Sequence, residues 1–340
     1  MDDLSPLLSK LTSGASLTRA EAKSAFGSIM SGESEPLQVA AMLTSMSQRG
    51  ETIEEIVAGA EVMRSHAIHI QAPDDAVDTC GTGGSGIDSF NISTAAAFIT
   101  VAAGIPVAKH GNRAASSKSG SADVLEALGG NIDLPMEQVQ KSLTETGFTF
   151  LFARAHHSAV RHVVPVRAAL KFKTIFNVLG PLSSPANAKR QVLGVYDRRL
   201  VLPLAEVLRD LGSVHSWVVH GSDGLDEITT TGPTFVAELR DGAIREFEVS
   251  PGQVGFNTVS LDEIRGGTAD HNAAAIRAMF AGEHSPFREI TLMNAGASLL
   301  VGGKANSFED AVQMAAEMVD GGLAHKALNS WVEFTKNART

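Results

Sequence analysis

The chain has 340 residues, of which 44% are apolar and 19% charged. That composition excludes a disordered or coiled-coil chain and allows one large or two ordinary domains without disulfide or metal staples. Lys plus Arg number 28 against 38 Asp plus Glu, a formal charge of −10, which argues against a general nucleic-acid-coating protein while leaving room for a local basic pocket. The single cysteine, Cys80, cannot close an internal disulfide; this favours a reducing compartment, and a cytoplasmic location is expected. The start, MDDLSPLLSKL, lacks a secretory pattern, and no run reaches the roughly 18 apolar residues of a membrane span.

Residues 1 to about 70 read as a small helical bundle. Thr18 with Glu21, and Thr52 with Glu55, have the spacing of a capping box, in which each partner satisfies a free amide at the helix start. Ser34 before Pro36 predicts another start, and Leu37, Ala40, Ala41, Met42 and Leu43 give that helix an apolar stripe. Gly14, Gly32 and Gly50 separate the helices. From Val77 the pattern changes. A strand over Val77–Cys80 ends at Gly81, followed by a helix over Asn91–Ala103 and a strand over Ile105–Lys109. Helices over Ser121–Leu128 and Pro135–Glu145 and a strand over Phe148–Phe152 come next. Such alternation predicts an α/β sheet with helices on its faces. His156–Leu179 is expected to be helical with a break near Pro165, and Pro181 and Pro185 to mark a turn. Val201–Leu211 reads as a helix and Ser213–Val219 as a strand. Thr234–Leu239 and Ile244–Val249 are expected to pair across an Asp241–Gly242 turn. A helix from about Asn272 and a long helical region over Phe308–Phe334 close the chain. No low-complexity linker divides the bundle from the sheet, so the two parts are expected to pack together around a cleft.

Three segments carry chemistry. The first, Gly81-Thr82-Gly83-Gly84-Ser85-Gly86 followed by Asn91–Thr94, combines a tight glycine-rich turn with a helix start and several hydroxyls. Exposed amides there suit an anion. The spacing matches neither a dinucleotide fingerprint nor a P-loop, and a structural turn with an ordinary cap fits the residues equally well. The second, Lys109 to Ser121, gathers Lys109, Arg113 and Lys118 among hydroxyls and glycines in an acidic chain, which suits a polyanion. The third, Asp223 to Glu227 after a strong strand, can offer carboxylates to Mg²⁺, or be a solvated turn. His156, His157 and His162 give only a partial zinc set, so a pocket or capping role is favoured. Arg167 offers a fork for a carboxylate or a surface ion pair.

Taken together the runs GTGG at Gly81, FNIST ending at Thr94, KHGNR with SSKSG through Gly120 and SADVLEALG from Ser121 resemble the anthranilate phosphoribosyltransferases. So do HVVPVR ending at Arg167, TIFNVLGPL from Thr174, LGVY ending at Tyr196, GLDE ending at Glu227 and the pair Asn294-Ala295. The resemblance implies a helical domain over residues 1–70, with additional helices from about 165–190. It implies an α/β phosphoribosyltransferase domain over 71–340 with a central, mostly parallel sheet. It implies transfer of ribose 5-phosphate from phosphoribosyl diphosphate to the amine of anthranilate, with Mg²⁺, in a homodimer formed through the helical part. Nucleic acid and membrane are not expected as partners.

Carried over residue by residue, the family's donor site falls on Gly81, Thr82, Gly83, Gly84, Ser85, Ser89, Asn91, Ile92, Ser93 and Thr94. It continues through Lys109, Asn112, Arg113, Ala114, Ala115, Ser116, Ser117 and Ser121. The acceptor site falls on Gly81, His110, Asn112 and Arg167, the metal site on Ser93, Asp226 and Glu227, and the catalytic roles on Lys109, Asn112 and Arg167. One residue departs from the family's GTGGDG loop: Ser85 stands where an Asp is usual, and a hydroxyl cannot supply the negative charge. A pyrimidine-nucleoside phosphorylase-like enzyme and a non-catalytic homologue binding phosphorylated metabolites or nucleic acid are the alternatives. The intact KHGNR and GLDE runs favour the anthranilate enzyme.

Overall fold

A computed structural model describes residues 3–114 and 117–338. Four helices open the chain: α1 (Ser5–Thr12), α2 (Arg19–Ser31), α3 (Pro36–Arg49) and α4 (Ile53–Ser65). Both expected capping boxes form, Thr18 with Glu21 and Thr52 with Glu55. Ser34 is not the cap of α3: that position is Glu35, and the Ser34 hydroxyl bonds Ser28 Oγ at 2.7 Å. The buried face of α3 is Val39, Met42, Leu43 and Met46. Leu37 and Ala41, expected in the apolar stripe, face solvent because the 3.6-residue period carries them round the helix.

The second part begins with β1 (Val77–Gly81), α5 (Ile92–Ala102), β2 (Val107–Gly111), α6 (Ser121–Ala127), α7 (Met136–Thr146) and β3 (Phe148–Phe152). A helical link follows, comprising α8 (Ala153–His156), a 3-10 turn over Ser158–His162, α9 (Val164–Leu170) and α10 (Phe176–Leu179). Pro165 marks the start of α9 within this stretch. It lies in the first turn of α9, where its missing N–H has no helical partner to lose; the expected break falls just before it, at Val163 between the 3-10 turn and α9, and a further one comes at Lys171, in the left-handed region with φ 57°. β4 (Arg190–Gly194), α11 (Val201–Asp210), β5 (His215–Gly221), β6 (Thr234–Arg240) and β7 (Ala243–Val249) complete the sheet. α12 (Ala269–Phe280), α13 (Pro286–Val301), α14 (Phe308–Asp320) and α15 (Leu323–Asn337) close the chain, with Gly321 and Gly322 splitting the long terminal helix expected from sequence.

The seven strands run in the order β3-β2-β1-β4-β5-β6-β7. The first five are parallel, and β6 and β7 fold back antiparallel across Asp241-Gly242. Successive strand residues point to opposite faces. Val192, Trp217 and Val219 join a core with α5 and α12 to α15, while Leu193, Val218 and Cys80 join a core with α1 to α4, α10 and α11. The bundle and one face of the sheet therefore share one apolar cluster. α9 packs on α3, and α10 on α4.

Glu55 ties the bundle together. Its carboxylate is fully buried, pairs with Arg49 and accepts the N–H groups of Leu17 and Thr52, each at 2.9 Å. Burial would raise its pKa, but these bonds outweigh burial and lower it. Glu55→Gln removes the charge that Arg49 faces and is expected to destabilise the fold by about 1–3 kcal/mol. Urea unfolding at neutral pH checks this, and an unchanged midpoint would show that the network adds no net stability.

Candidate active site

Five parallel strands place their carboxyl ends on one edge of the sheet, and the connections diverge there between β1 and β4, where open α/β sheets take ligands. At that edge the loop after β5 meets the loop after β1. The Gly83 N–H donates to Asp226 Oδ2 at 2.9 Å. This approach leaves no room for side chains. A Cβ on Gly81 would lie 2.9 Å from Asp226 Oδ2, and one on Gly194 only 1.7 Å from the Asp226 carbonyl oxygen. Next to it the Ser93 N–H, in the first turn of α5, donates to Glu227 Oε1 at 3.3 Å. From β2 the buried Lys109 ammonium donates to the Thr79 carbonyl and reaches Ser93 Oγ at 3.2 Å.

The electrostatics of this cluster are unusual for a surface. Burial, and then the Asp226 charge, push the Glu227 carboxyl up to about 7. Burial lowers the Lys109 ammonium, opposed by the charges of Asp78 and Glu227. Neither Asp226 nor Glu227 forms an ion pair with any described residue. Two neighbouring carboxylates without a paired cation among the described residues, beside a serine hydroxyl, form an all-oxygen donor set that fits a hard divalent cation such as Mg²⁺. Among the described residues no group of three or more His, Cys, Asp or Glu gathers as a zinc site.

The structure thus brings Gly81, Gly83, Ser93, Lys109, Asp226 and Glu227 together. Other residues are held in different ways. Thr82 Oγ1 accepts the Tyr196 N–H at 3.0 Å. Ser85 Oγ accepts the Ile87 N–H at 3.5 Å, closing its own turn, and Ser89 bridges Arg265. Ile92 and Thr94 bury their side chains, and the Ile92 N–H is taken by the Phe90 carbonyl. The Asn91 amide binds Ser119 Oγ and Asn272 Nδ2 at 3.1 and 2.8 Å, fastening the second loop to α12. Asn112 Oδ1 accepts the Arg113 N–H, and Ser121 Oγ donates to the Asn112 carbonyl. The Arg113 guanidinium is already occupied by Asp123 and Glu126, at 3.1 and 2.6 Å, and Lys118 stands 3.5 Å from Asp88. The Ala114 N–H donates to Asp123, and Ser117 Oγ to the Ser119 carbonyl. Ala115 and Ser116 lie outside the described residues.

His110 follows Lys109 on β2 and so points to the opposite face. There its ring lies 5.1 Å from the ring of His157, and both are buried. Burial pushes His110 down to about 3 and His157 down to about 4. His156 Nδ1 bonds the Ile68 carbonyl, and His162 is exposed beside Gly32, so the three histidines do not converge. Arg167, on α9, sets its guanidinium 5.7 Å from the centre of the Phe176 ring, and burial lowers its pKa.

Sequence reasoning passed over Asp78, whose Oδ1 accepts the His110 N–H at 3.0 Å while Oδ2 has no partner. A lone acid inside the apolar run of β1 was its only signal. It also passed over Asn272 and the Arg265–Gly267 segment that grips the first loop, where the Gly266 N–H donates to the Asp88 carbonyl at 2.8 Å.

The pattern of a glycosyl transferase family's helical bundle domain matches residues 5–67, and that of the same family's a/b domain matches residues 73–325. The fold and its sheet-edge site therefore define a glycosyltransferase that moves a pentosyl group. Over 335 residues, 98% of each chain, the sequence is 50% identical to the anthranilate phosphoribosyltransferase of Parvibaculum lavamentivorans. The crystal structure of the Thermus thermophilus anthranilate phosphoribosyltransferase is 40% identical, with a TM-score of 0.92 over 97% of this chain and 99% of that one. That of Saccharomyces cerevisiae, in complex with phosphoribosyl diphosphate and Mg, is 25% identical, with a TM-score of 0.89 over 98% of each chain. The chain belongs to the anthranilate phosphoribosyltransferase family.

Asp78 is fully buried, and burial raises its carboxyl from 3.8 to about 7. The folded state then holds a proton that the unfolded chain releases, so this group's contribution to stability falls as pH rises from near 4 towards 7. The slope is at most about 1.4 kcal/mol per pH unit. Asp78→Asn removes that dependence. The difference in unfolding free energy between wild type and variant, measured by urea titration from pH 5 to 8, is expected to shift in the variant's favour from pH 5 to about 7 and to level off above that. A constant difference would show that Asp78 does not titrate in this range.

Proposed function

We propose that this cleft transfers the 5-phosphoribosyl group from phosphoribosyl diphosphate to the amine of anthranilate, releasing N-(5-phosphoribosyl)anthranilate and diphosphate in tryptophan biosynthesis. The observation that carries this reading is the convergence of the Gly83 and Ser93 amides, the Lys109 ammonium and the Asp226–Glu227 pair at one sheet edge. The Gly83 and Ser93 amides fix the acidic pair in place, and the buried Lys109 cation beside it suits the diphosphate end of the donor. Asp226, Glu227 and Ser93 would hold Mg²⁺, which when bound neutralises charge on the diphosphate.

In the reaction the amine lone pair forms a bond to ribose C1, the bond from C1 to the diphosphate oxygen breaks, and the nitrogen gives up a proton to water. The leaving group is already good and the amine already nucleophilic. The chain's contribution is therefore positioning and stabilisation of the departing charge. Lys109 supplies that charge from beneath the Gly81–Ser85 loop. Asn112 and Arg167 are assigned to anthranilate, with Arg167 taking its carboxylate and His110 lying alongside. Arg113 would reach the donor only by leaving Asp123 and Glu126.

We assign the helical domain to residues 1–70, with the link of α9 and α10, and the α/β domain to 71–340. A homodimer through the helical part is supported by Leu37, Val164 and Phe172, large apolar side chains exposed by 78, 52 and 45% on or next to the mutually packed α3 and α9. The unpaired Cys80 supports a cytoplasmic location. Among the described residues no helix is long and apolar enough to cross a membrane.

The direct test is the loss of anthranilate fluorescence with phosphoribosyl diphosphate and Mg²⁺ present, and no loss when either is omitted. Arg167→Ala is expected to raise the KM for anthranilate by about tenfold or more while the donor KM holds. Equal kinetics at limiting anthranilate would remove Arg167 from the acceptor site. Asp226→Asn with Glu227→Gln is expected to shift the activating Mg²⁺ concentration upward, and a superimposable magnesium titration would remove the pair from the metal site.

A further inference from the structure

Lys173 belongs to none of the loops assigned above. It sits in the link between α9 and α10, where Ser47 Oγ of α3 donates to the Lys173 carbonyl at 2.9 Å and the Thr174 N–H donates to Asn177 Oδ1 at 3.0 Å. From this anchorage in the helical part the side chain crosses to the sheet edge. Its ammonium stands 3.6 Å from the centre of the Tyr196 ring, a cation–π contact. Its Cε and Nζ lie 3.3 and 3.8 Å from where a Gly84 Cβ would be. Tyr196 is hung on the same loop through its N–H bond to Thr82 Oγ1. Among the described residues Lys173 forms no ion pair, and Asp197 and Asp226 are the carboxylates whose charges act on it.

A chain of net charge −10 repels a polyanion at long range, so a cation free of carboxylate partners at the lip of the amide loop has a large local effect. Lys109 lies on the sheet side of that loop and is buried; Lys173 reaches it from the bundle, lies against Gly84 and is exposed. Arg113 and Lys118, the cations that the sequence pointed to, are paired with acids. We propose that Lys173 is a binding residue for the diphosphate end of the ribosyl donor, contributed by the helical part of the chain and oriented by Tyr196. The proposal rests on the reading of the cleft given above.

The test compares Lys173→Met, which keeps the stem and loses the charge, with Lys173→Arg, which keeps the charge. Two quantities are read on the intact enzyme: the KM for the donor at saturating anthranilate, and the Kd for magnesium diphosphate by calorimetry. Both are expected to rise about tenfold in Lys173→Met and to stay within about twofold of wild type in Lys173→Arg, with the anthranilate KM unchanged. An unchanged donor KM and diphosphate Kd in Lys173→Met would overturn the proposal. So would a change confined to the anthranilate KM, or one confined to the melting temperature, which would make Lys173 a prop for Tyr196. If wild type transfers no ribosyl group, the reading of the reaction fails, and the diphosphate titration still decides the role of Lys173.

Discussion

The acidic turn after β5 is held by main-chain amides, and the geometry of the whole cleft follows from that. Asp226 is bound by Gly83, and Glu227 by Ser93, so the glycine loop, the start of α5 and the acidic turn form one unit. For Glu227 burial and the neighbouring Asp226 charge prevail over the hydrogen bonds to Ser93 that favour its charged form. A site assembled this way is short of positive charge, which a divalent cation can supply. It also depends on what is missing from the chain. Any side chain at Gly194 would strike the Asp226 carbonyl and push the acids off the amides that hold them.

Alternation along β2 then divides the cleft. Lys109 points towards α5 and the core built on α12 to α15, whereas His110 points to the face covered by the helical link, where it meets His157. Neighbouring residues thus serve opposite sides of the sheet because a strand has a period of two. The helical part of the chain carries Arg167 and Lys173 and brings Lys173 to Gly84 and Tyr196 at the sheet edge, and its core is continuous with that of the sheet. The bundle and the sheet edge are consequently not separable in function: loosening α3 against α9 would displace the link that carries both cations.

Local signals in the sequence located most elements, and their failures have physical causes. Capping boxes and alternating short runs are local, so α2, α4, β1, β3 and the β6–β7 hairpin are legible. α13 is not, because 14 of its 16 residues are buried and a helix apolar on all sides has no amphipathic period. β4 was passed over for a similar reason. It is a central strand of five residues, and its run RQVLG alternates too weakly to stand out. The glycine and acidic loops drew attention through composition, but their meeting is a tertiary fact: Gly83 and Asp226 are 143 residues apart. Nor could composition tell a free cation from a paired one. Arg113 looked available and is bound by Asp123 and Glu126; Lys173 falls in a stretch expected to be helical and, among the described residues, forms no ion pair.

The protonation states on the two sides of β2 suit a substitution at ribose C1. As the amine bonds to carbon, positive charge develops on nitrogen and negative charge on the departing diphosphate. Cations near the nitrogen would raise the barrier, and cations near the diphosphate lower it. His110 and His157 are pushed down to about 3 and about 4 by burial, so they are neutral at physiological pH and put no charge on their side of β2. Lys109, on the opposite face, has its ammonium lowered by burial, an effect that the charges of Asp78 and Glu227 oppose. Asp78 touches both sides, since it bonds the His110 amide and acts on the Lys109 charge. Burying that acid costs stability in the folded chain, and in return it fixes the end of β2, from which the two opposed environments are presented.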